Sequence, residues 1–293
     1  MWHLSSVGIN SPPSAGISSH VQGSVKQYDG PLTPEDQPKW LELLREDRAK
    51  VLTGIGYKGG VFGVPELNWT QTSFIQPQMH PYDRFFYNVD VHNYTVQTFL
   101  GDLRDRYGGI DALLMWPTYT NIGIDDRNQF DLFRTMPGGL NAVGRVTAEL
   151  KRSGVRVLWP YNPWDTGTAR EPVDDQETFA ALLKQTGGDG FNGDTMDYVP
   201  ESFWQAAVDQ HYPLAFEPEG GGHDAALNWD TMGWGYWSYP HVPMVNRFKW
   251  LTYGKFMVNV CRRWAKNRTD DLQAAYFNGA GYESWENVRL GPH

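Results

Sequence analysis

Residues 155–194 hold the pattern that decides the fold. The strand-like run VRVLWPYN (155–162) precedes DDQETFAALLKQTGG (174–188), a helical pattern that ends in glycine, and DGFNGD (189–194) follows as a second short strand. The chain on both sides repeats this order. Short β-rich runs that alternate with helices of about ten to fifteen residues are typical of βαβ units and a parallel sheet.

The number of strands decides between a closed barrel and an open sheet. We predict seven, near residues 85, 112, 156, 190, 214, 235 and 274. One helix is expected over RFKWLTYGKFMVNVCRRWA (247–265), and no eighth strand is expected after Gly279. Seven strands are close to the eight of a closed barrel. The sequence therefore predicts an α/β fold, a (β/α)8 TIM-type barrel. With seven strands found, this barrel is either incomplete at its C-terminus or completed by an N-terminal segment.

The chain divides into a short leader and one domain. Residues 1–33 are rich in Ser, Gly and Pro, which predicts an irregular leader. Thr33 and Pro34 then open a helical run with acidic residues at its start. Residues 34–293 are predicted to form a single barrel domain, since a chain of 293 residues that is 40% hydrophobic can bury one large core.

Charge and hydropathy argue against nucleic-acid binding and against a membrane-spanning segment. The net charge is -9 without a stripe of Lys and Arg, so nucleic acid is not expected. No run of apolar residues is long enough to predict a membrane span. The N-terminus lacks the basic start and apolar run of a signal peptide, whereas glycosylation sequons at Asn68, Asn93 and Asn267 favour a secreted or luminal location.

The aromatic content is high for a core of this size. Aromatic residues make up 14% of the chain, including 13 Trp. Such an excess often lines surfaces that bind flat, partly apolar ligands such as sugars. The alternative is a Trp-rich core.

Polar and aromatic side chains follow every predicted strand from the second onward. In a barrel, chemistry takes place on the loops after the carboxyl ends of the strands. These loops are richer in carboxylates, amides and aromatics than the loops at the other end. The candidate substrate-binding residues are Trp116, Asp125, Asp126, Trp164, Asp165, Asp230, Trp234, Glu283 and Glu286.

Two neighbouring strand ends carry the candidate catalytic residues. Asp194 follows the strand break at Gly193, and Glu217 and Glu219 lie at the end of the next strand. A pair of carboxylates across an aromatic cleft is what cleavage of a glycosidic bond needs. We assign Asp194 as the nucleophile and Glu219 as the acid/base, with Glu217 orienting or binding; a helix-capping role is the alternative for a lone Asp. No metal site or cofactor is predicted, because the His residues share no ligand spacing and no phosphate-binding loop follows a strand.

These segments resemble a known group of enzymes. GVRVLWPYNPWD followed by DGFNGDTMDYVPESFW is similar to the third and fourth strands of retaining α-glycosidases of the α-amylase and α-galactosidase type. FEPEGGG is similar to the acid/base segment of the α-amylase type and of endo-α-N-acetylgalactosaminidases. The resemblance covers about residues 84 to 288, and its close motifs are the fourth and fifth strand ends.

The resemblance implies an activity and a substrate. A glycoside hydrolase would cleave an α-linked oligosaccharide, polysaccharide or glycoconjugate with retention, with Asp194 as nucleophile and Glu219 or Glu217 as acid/base. In the α-galactosidase type the acid/base follows the sixth strand, which would place that role on Asp230. Enzymes of these types usually carry a C-terminal β-domain as well, and we expect no such domain within residues 34–293. A non-catalytic carbohydrate-binding barrel and a metal-dependent lyase or isomerase are the alternatives.

Overall fold

The structure, a computed structural model, describes residues 19–22, 25–121, 123–236, 242–260 and 267–284. Within these ranges, the alternation of strands and helices predicted from residue 112 to residue 235 is confirmed. The strands are β1 (Ser19–Gln22), β2 (Val25–Tyr28), β3 (Gln78–Met79), β4 (Tyr87–Asn88), β5 (Asn93–Tyr94), β6 (Ala112–Met115), β7 (Arg156–Tyr161), β8 (Gly190–Gly193), β9 (Ala215–Pro218), β10 (Met232–Gly235), β11 (Phe256–Val260) and β12 (Gly281–Glu283).

The helices end where the sequence places glycines. Gly108, Gly154 and Gly187 follow three of them with positive φ angles of 82°, 83° and 77°, a conformation that costs glycine nothing. Short 3-10 turns cover Pro34–Asp36, Gly60–Gly63, Pro65–Thr72 and Asp224–Asn228. The α-helices of the described residues are α1 (Gln37–Gly54), α2 (Val96–Tyr107), α3 (Gln129–Arg134), α4 (Gly139–Arg152), α5 (Asp175–Thr186), α6 (Glu201–Asp209), α7 (Val242–Leu251) and α8 (Thr269–Phe277).

Eight parallel strands follow one another around a ring. One sheet has the order β3-β6-β7-β8-β9, and a second has the order β10-β11-β12. A bridge between Glu219 and Trp234 joins β9 to β10, and a bridge between Ile75 and Tyr282 joins β12 to the segment before β3. The predicted (β/α)8 TIM-type fold is therefore confirmed.

The predicted set of strands was wrong at both ends of the chain. The first barrel strand is β3 rather than the run near residue 85, because β4 pairs antiparallel with β5 in a separate hairpin. Of the helix expected over 247–265, residues 247–251 belong to α7, the apolar run after Gly254 forms β11, and residues 261–265 lie outside the described residues. The expected strand near residue 274 is helix α8, and β12 supplies the eighth strand that was not expected after Gly279. The barrel is thus not incomplete at its C-terminus.

Two short strands precede the first helix. Residues 1–18 lie outside the described residues, but β1 and β2 form an antiparallel pair within the leader that we predicted to be irregular. The ring of Tyr28 packs 6.1 Å from that of Trp250 on α7.

Among the described residues, no helix combines the length and the apolar character that crossing a bilayer requires.

Alternation along the strands separates the barrel interior from the helix layer. Phe191 on β8 and Phe216 on β9 point outward, since both pack against Phe203 on α6. Their neighbours Asn192 and Glu217 therefore point into the barrel. This alternation brings polar side chains of β8 and β9 to the inner surface near the carboxyl ends of the strands.

Candidate active site

Asp194 and Glu219 come level with each other at the carboxyl ends of two adjacent strands. The register of β8 and β9 pairs Asn192 with Glu217 and Gly193 with Pro218. One residue further along, the same register sets Asp194 beside Glu219. Both side chains are half-buried, and both continue the inward-facing positions of their strands. Adjacent strands lie about 4.8 Å apart, so two carboxylates stand next to each other at the mouth of the barrel.

A backbone hydrogen bond fixes the Glu219 carboxylate in this place. The Thr195 N–H donates to Glu219 Oε2 over 2.7 Å. Thr195 has a φ angle of 57°, so the chain turns sharply just after Asp194. The backbone N–H of Asp194 is itself bonded to the Tyr161 carbonyl on β7, at 2.9 Å. The loop after β8 is thereby tied to both neighbouring strands.

Glu217 lies one layer deeper, inside the barrel. Its Oε2 accepts hydrogen bonds from Asn192 Nδ2 at 2.9 Å and from Gln76 Nε2 at 2.7 Å. Gln76 precedes β3, which stands opposite β9 in the ring. The bond from Gln76 therefore spans the barrel. Glu217 is fully buried, so it is closed off from the mouth that Glu219 borders.

The Glu217 carboxyl has an unusual environment for an acidic group. Burial raises its pKa to about 7, because a charged carboxylate loses its hydration there. The two hydrogen bonds oppose this effect without cancelling it. Within the part of the chain that the structure describes, Glu217 Oε1 is buried and has no hydrogen-bond partner.

Asp230 is placed away from the mouth. It precedes β10, and its Oδ1 accepts a hydrogen bond from Lys255 Nζ at 2.7 Å; Lys255 precedes β11. Both residues lie at the amino ends of their strands and are buried. Burial raises the pKa of Asp230 to about 6, and the nearby Lys255 ammonium opposes the shift. Because chemistry in a barrel takes place at the opposite end, the geometry favours a structural ion pair over a substrate-binding or acid/base role.

An aromatic group borders the mouth on the side of β6 and β7. The rings of Trp116 and Tyr119 lie 5.1 Å apart, and Tyr119 stacks on Trp164 at 5.9 Å with an angle of 29°. Trp116 is buried, whereas Trp164 and Tyr119 are half-buried and present part of their rings to solvent. A partly exposed aromatic face of this kind suits the apolar face of a sugar ring.

Trp234 closes the barrel interior beside the two carboxylates. Its indole Nε1 donates to the Gly193 carbonyl over 3.0 Å. Since β9 lies between β10 and β8 in the ring, the indole crosses the inner side of β9. Trp234 is buried, so it forms a wall of the site rather than an open stacking surface.

The other candidates after β6 and β7 contact residues of these two loops and of α3. Asp165 is buried and accepts from the backbone N–H of Gln129 at 2.9 Å, which caps the start of α3, and from Thr168 Oγ1 at 2.5 Å. Asp125 forms an exposed ion pair with Arg127 at 2.9 Å. Asp126 is exposed, and its backbone carbonyl accepts from the N–H of Ala169. These contacts join the two loops that carry Tyr119 and Trp164.

The last two candidates lie near the end of the chain. Glu283 is buried on β12, on the face opposite Tyr282, which packs in the outer layer. It therefore points into the barrel. Glu286 lies outside the described residues.

Within the described ranges, no three His, Cys, Asp or Glu side chains converge on a point that could hold a metal ion.

Sequence reasoning missed the polar residues inside the barrel. Gln76 and Asn192 were not among the candidates, yet both bind Glu217. Each sits at an inward position of a strand segment that is otherwise apolar: the run FIQPQM contains Gln76 and Gln78 two residues apart, and GFNG places one Asn between apolar neighbours. Polar residues at alternating positions of a buried strand were the signal available.

Comparison with known proteins gives only distant similarities. No family model and no curated protein matches the chain. Among solved structures, a noncanonic maltogenic α-amylase from Thermotoga neapolitana is 13% identical, with a TM-score of 0.48 over 74% of this chain and 68% of that one. Tryptophan synthase from M. tuberculosis gives 14% and 0.46 over 78% and 88%. An α-amylase from Geobacillus thermoleovorans gives 14% and 0.45 over 75% and 71%. Similarity at this level supports no functional inference.

Proposed function

We propose that the protein is a glycoside hydrolase that cleaves α-linked sugars with retention. The observation that carries the proposal is the strand register that sets Asp194 beside Glu219 at the mouth of the barrel. Retaining glycosidases need two carboxyl groups about 5–5.5 Å apart. The backbones of adjacent parallel strands lie about 4.8 Å apart, and this spacing supports a carboxyl separation of that size. The α-linkage comes from the sequence resemblance at the fourth and fifth strand ends.

The two carboxylates take different roles. Asp194 attacks the anomeric carbon and forms a glycosyl-enzyme ester, while Glu219 protonates the leaving oxygen. Glu219 then removes a proton from the water that hydrolyses the ester. The half-exposed faces of Tyr119 and Trp164 hold the sugar ring beside this pair.

The structure gives no support to a non-catalytic barrel. A missing eighth strand would favour that alternative, but β12 supplies the strand. The experiment described next distinguishes the two functions, because a barrel that only binds sugar would bind oligosaccharides without hydrolysing them.

The test uses two neighbouring aspartates. Hydrolysis of aryl α-glycosides and of α-linked oligosaccharides is measured for the wild type, for Asp194→Asn and for Asp197→Asn. Asp197 lies in the same loop and its side chain is 82% exposed, with Oδ2 3.8 Å from His223 Nε2, so it is a matched control. We expect Asp194→Asn to lose about 10³-fold or more in kcat and Asp197→Asn to keep it. Equal activity of wild type and Asp194→Asn would contradict the proposal.

A further inference from the structure

A layer of three polar side chains lies directly beneath the two carboxylates of the mouth. Asn192 is two residues before Asp194 on β8, and Glu217 is two residues before Glu219 on β9. Two residues along a strand amount to about 6.6 Å on the same face. The hydrogen bond between Asn192 and Glu217 therefore joins the two strands just below the candidate catalytic pair.

The third member of this layer comes from the far side of the barrel. Gln76 Nε2 donates to Glu217 Oε2 over 2.7 Å, and the backbone N–H of Gln76 is bonded to Tyr282 on β12. Gln76, Asn192 and Glu217 are all nearly or fully buried. This layer, which we call the floor, connects the first, fourth, fifth and eighth barrel strands.

The floor contains two oxygen atoms that lack hydrogen-bond donors. Glu217 Oε1 and Gln76 Oε1 are both buried and have no partner among the described residues. A buried acceptor without a donor is costly. An ionised Glu217 would leave both acceptors unsatisfied. A proton on Glu217 Oε1 turns that atom into a donor. The acceptor is then Gln76 Oε1, on the same carboxamide whose Nε2 already donates to Glu217 Oε2.

The nearby charges do not supply a counter-ion for an ionised Glu217. Glu283 also points into the barrel from β12, and a second acid cannot act as a counter-ion. The charged groups that shift the pKa of Glu217 are Asp230 and Lys255, with opposite signs. Lys255 Nζ is already bonded to Asp230 Oδ1 and to the Met232 carbonyl. The pair is neutral as a whole, so the barrel interior favours a neutral Glu217.

We propose that Glu217 is a positioning residue that carries a proton on Oε1. With Gln76 and Asn192 it forms an uncharged floor that sets the spacing of Asp194 and Glu219. The role in spacing rests on the proposed function, whereas the site of the proton stands on the geometry of the floor alone. Ionisation of Glu217 places an uncompensated charge in the floor and disturbs both strand ends that bear on the mouth.

The first test detects the proton without any substrate. Infrared difference spectra are recorded between wild type and Glu217→Gln as a function of pH. We expect the carbonyl band of a protonated carboxylic acid in the wild type at about pH 6, lost as the pH rises past about 7. A wild type without this band at about pH 6 would overturn the proposal. The experiment decides the proton even if the protein hydrolyses no glycoside, in which case only the proposed function fails.

The second test separates positioning from direct catalysis. Glu217→Gln keeps the shape of the floor and is neutral at every pH, so its kcat should stay within about threefold of wild type at about pH 6, with the alkaline decline of activity moved to higher pH. Glu217→Asp is too short to bridge Gln76 and Asn192 and should lower kcat with little change in KM. Complete loss of turnover in Glu217→Gln would show that Glu217 reacts with substrate, and an unchanged alkaline decline would show that its ionisation does not govern the site. Either result overturns the proposal.

Discussion

The backbone N–H of Thr195 donates to Glu219 Oε2 over 2.7 Å, and this bond connects the loop after the fourth barrel strand to the carboxylate that ends the fifth. Glu219 is consequently held beside the residue that precedes Thr195, which is Asp194. Within the part of the chain that the structure describes, this bond engages Oε2 alone and leaves Glu219 Oε1 for a substrate. A carboxyl group fixed through one oxygen can donate a proton from the other oxygen when protonated, or accept one there when ionised, in a defined direction.

Replacing Trp164 by Ala should weaken sugar binding. Trp164 stacks on Tyr119 with a half-exposed ring, and losing an aromatic stacking surface costs about 0.5–1.5 kcal/mol. Calorimetry with an α-linked oligosaccharide, in an Asp194→Asn background to prevent turnover, should show a dissociation constant raised about 2- to 12-fold. The control is Tyr253→Ala, whose side chain is 90% exposed at the amino end of β11, away from the mouth. Equal losses in both variants would contradict a binding role for Trp164.

The stability of the protein should depend on pH through Glu217. Its pKa is about 7 in the folded state and 4.5 as the ordinary value, so the folded state binds the extra proton between these two pH values. Stability is fully retained below about pH 4.5 and falls as the pH rises to about 7, by about 3 kcal/mol in total. Glu217→Gln lacks this loss.

Denaturant unfolding from pH 4 to pH 8 measures this effect as the difference between wild type and Glu217→Gln. The difference isolates Glu217 from other buried groups such as Asp230, whose pKa is also raised by burial. As the pH rises across this range, the free energy of unfolding of the wild type should fall relative to that of Glu217→Gln. A constant difference would contradict the raised pKa.

The buried pair of Asp230 and Lys255 should be important for stability rather than for chemistry. Lys255→Met leaves the Asp230 carboxylate buried without its partner, at a cost of about 3–5 kcal/mol in unfolding free energy. The double variant Asp230→Leu/Lys255→Met should recover most of this loss, since neither charge is then buried. Thermal unfolding measures both. If the double variant folds with wild-type stability but lacks all activity, Asp230 or Lys255 takes part in the reaction.

Sequence periodicity predicted the central part of the barrel and failed at its ends for physical reasons. The helices α4, α5 and α6 end or begin with clear glycine, acidic or proline signals, and the strands between them are apolar. By contrast, β3 has only two residues, one of them Gln78, and Gln76 lies just before it, so no apolar run marks the strand. Within the run 247–265, the segment FMVNV (256–260) is buried at every position, and a short buried run does not distinguish a helix from a strand by its periodicity.

The site was predicted in the same uneven way. Asp194 and Glu219 follow from their positions at strand ends, and the register of β8 and β9, continued by one residue, sets them side by side. The partners of Glu217 could not be predicted, because Gln76 is 141 residues away along the chain and meets it only when the ring closes. Likewise, Asp165 looks like a binding residue in the sequence, whereas in the fold its oxygens hold the loops together.

Trapping of the glycosyl-enzyme ester tests the central claim most directly. The wild type is incubated with a fluorinated α-glycosyl fluoride, which forms the ester quickly and hydrolyses it slowly, and the digested protein is analysed by mass spectrometry. We predict one added glycosyl group on the peptide that contains DGFNGDTM (189–196), located on Asp194, and none in Asp194→Asn. An ester on another carboxylate, or a wild type that turns over substrate with inversion and without any ester, would contradict the account.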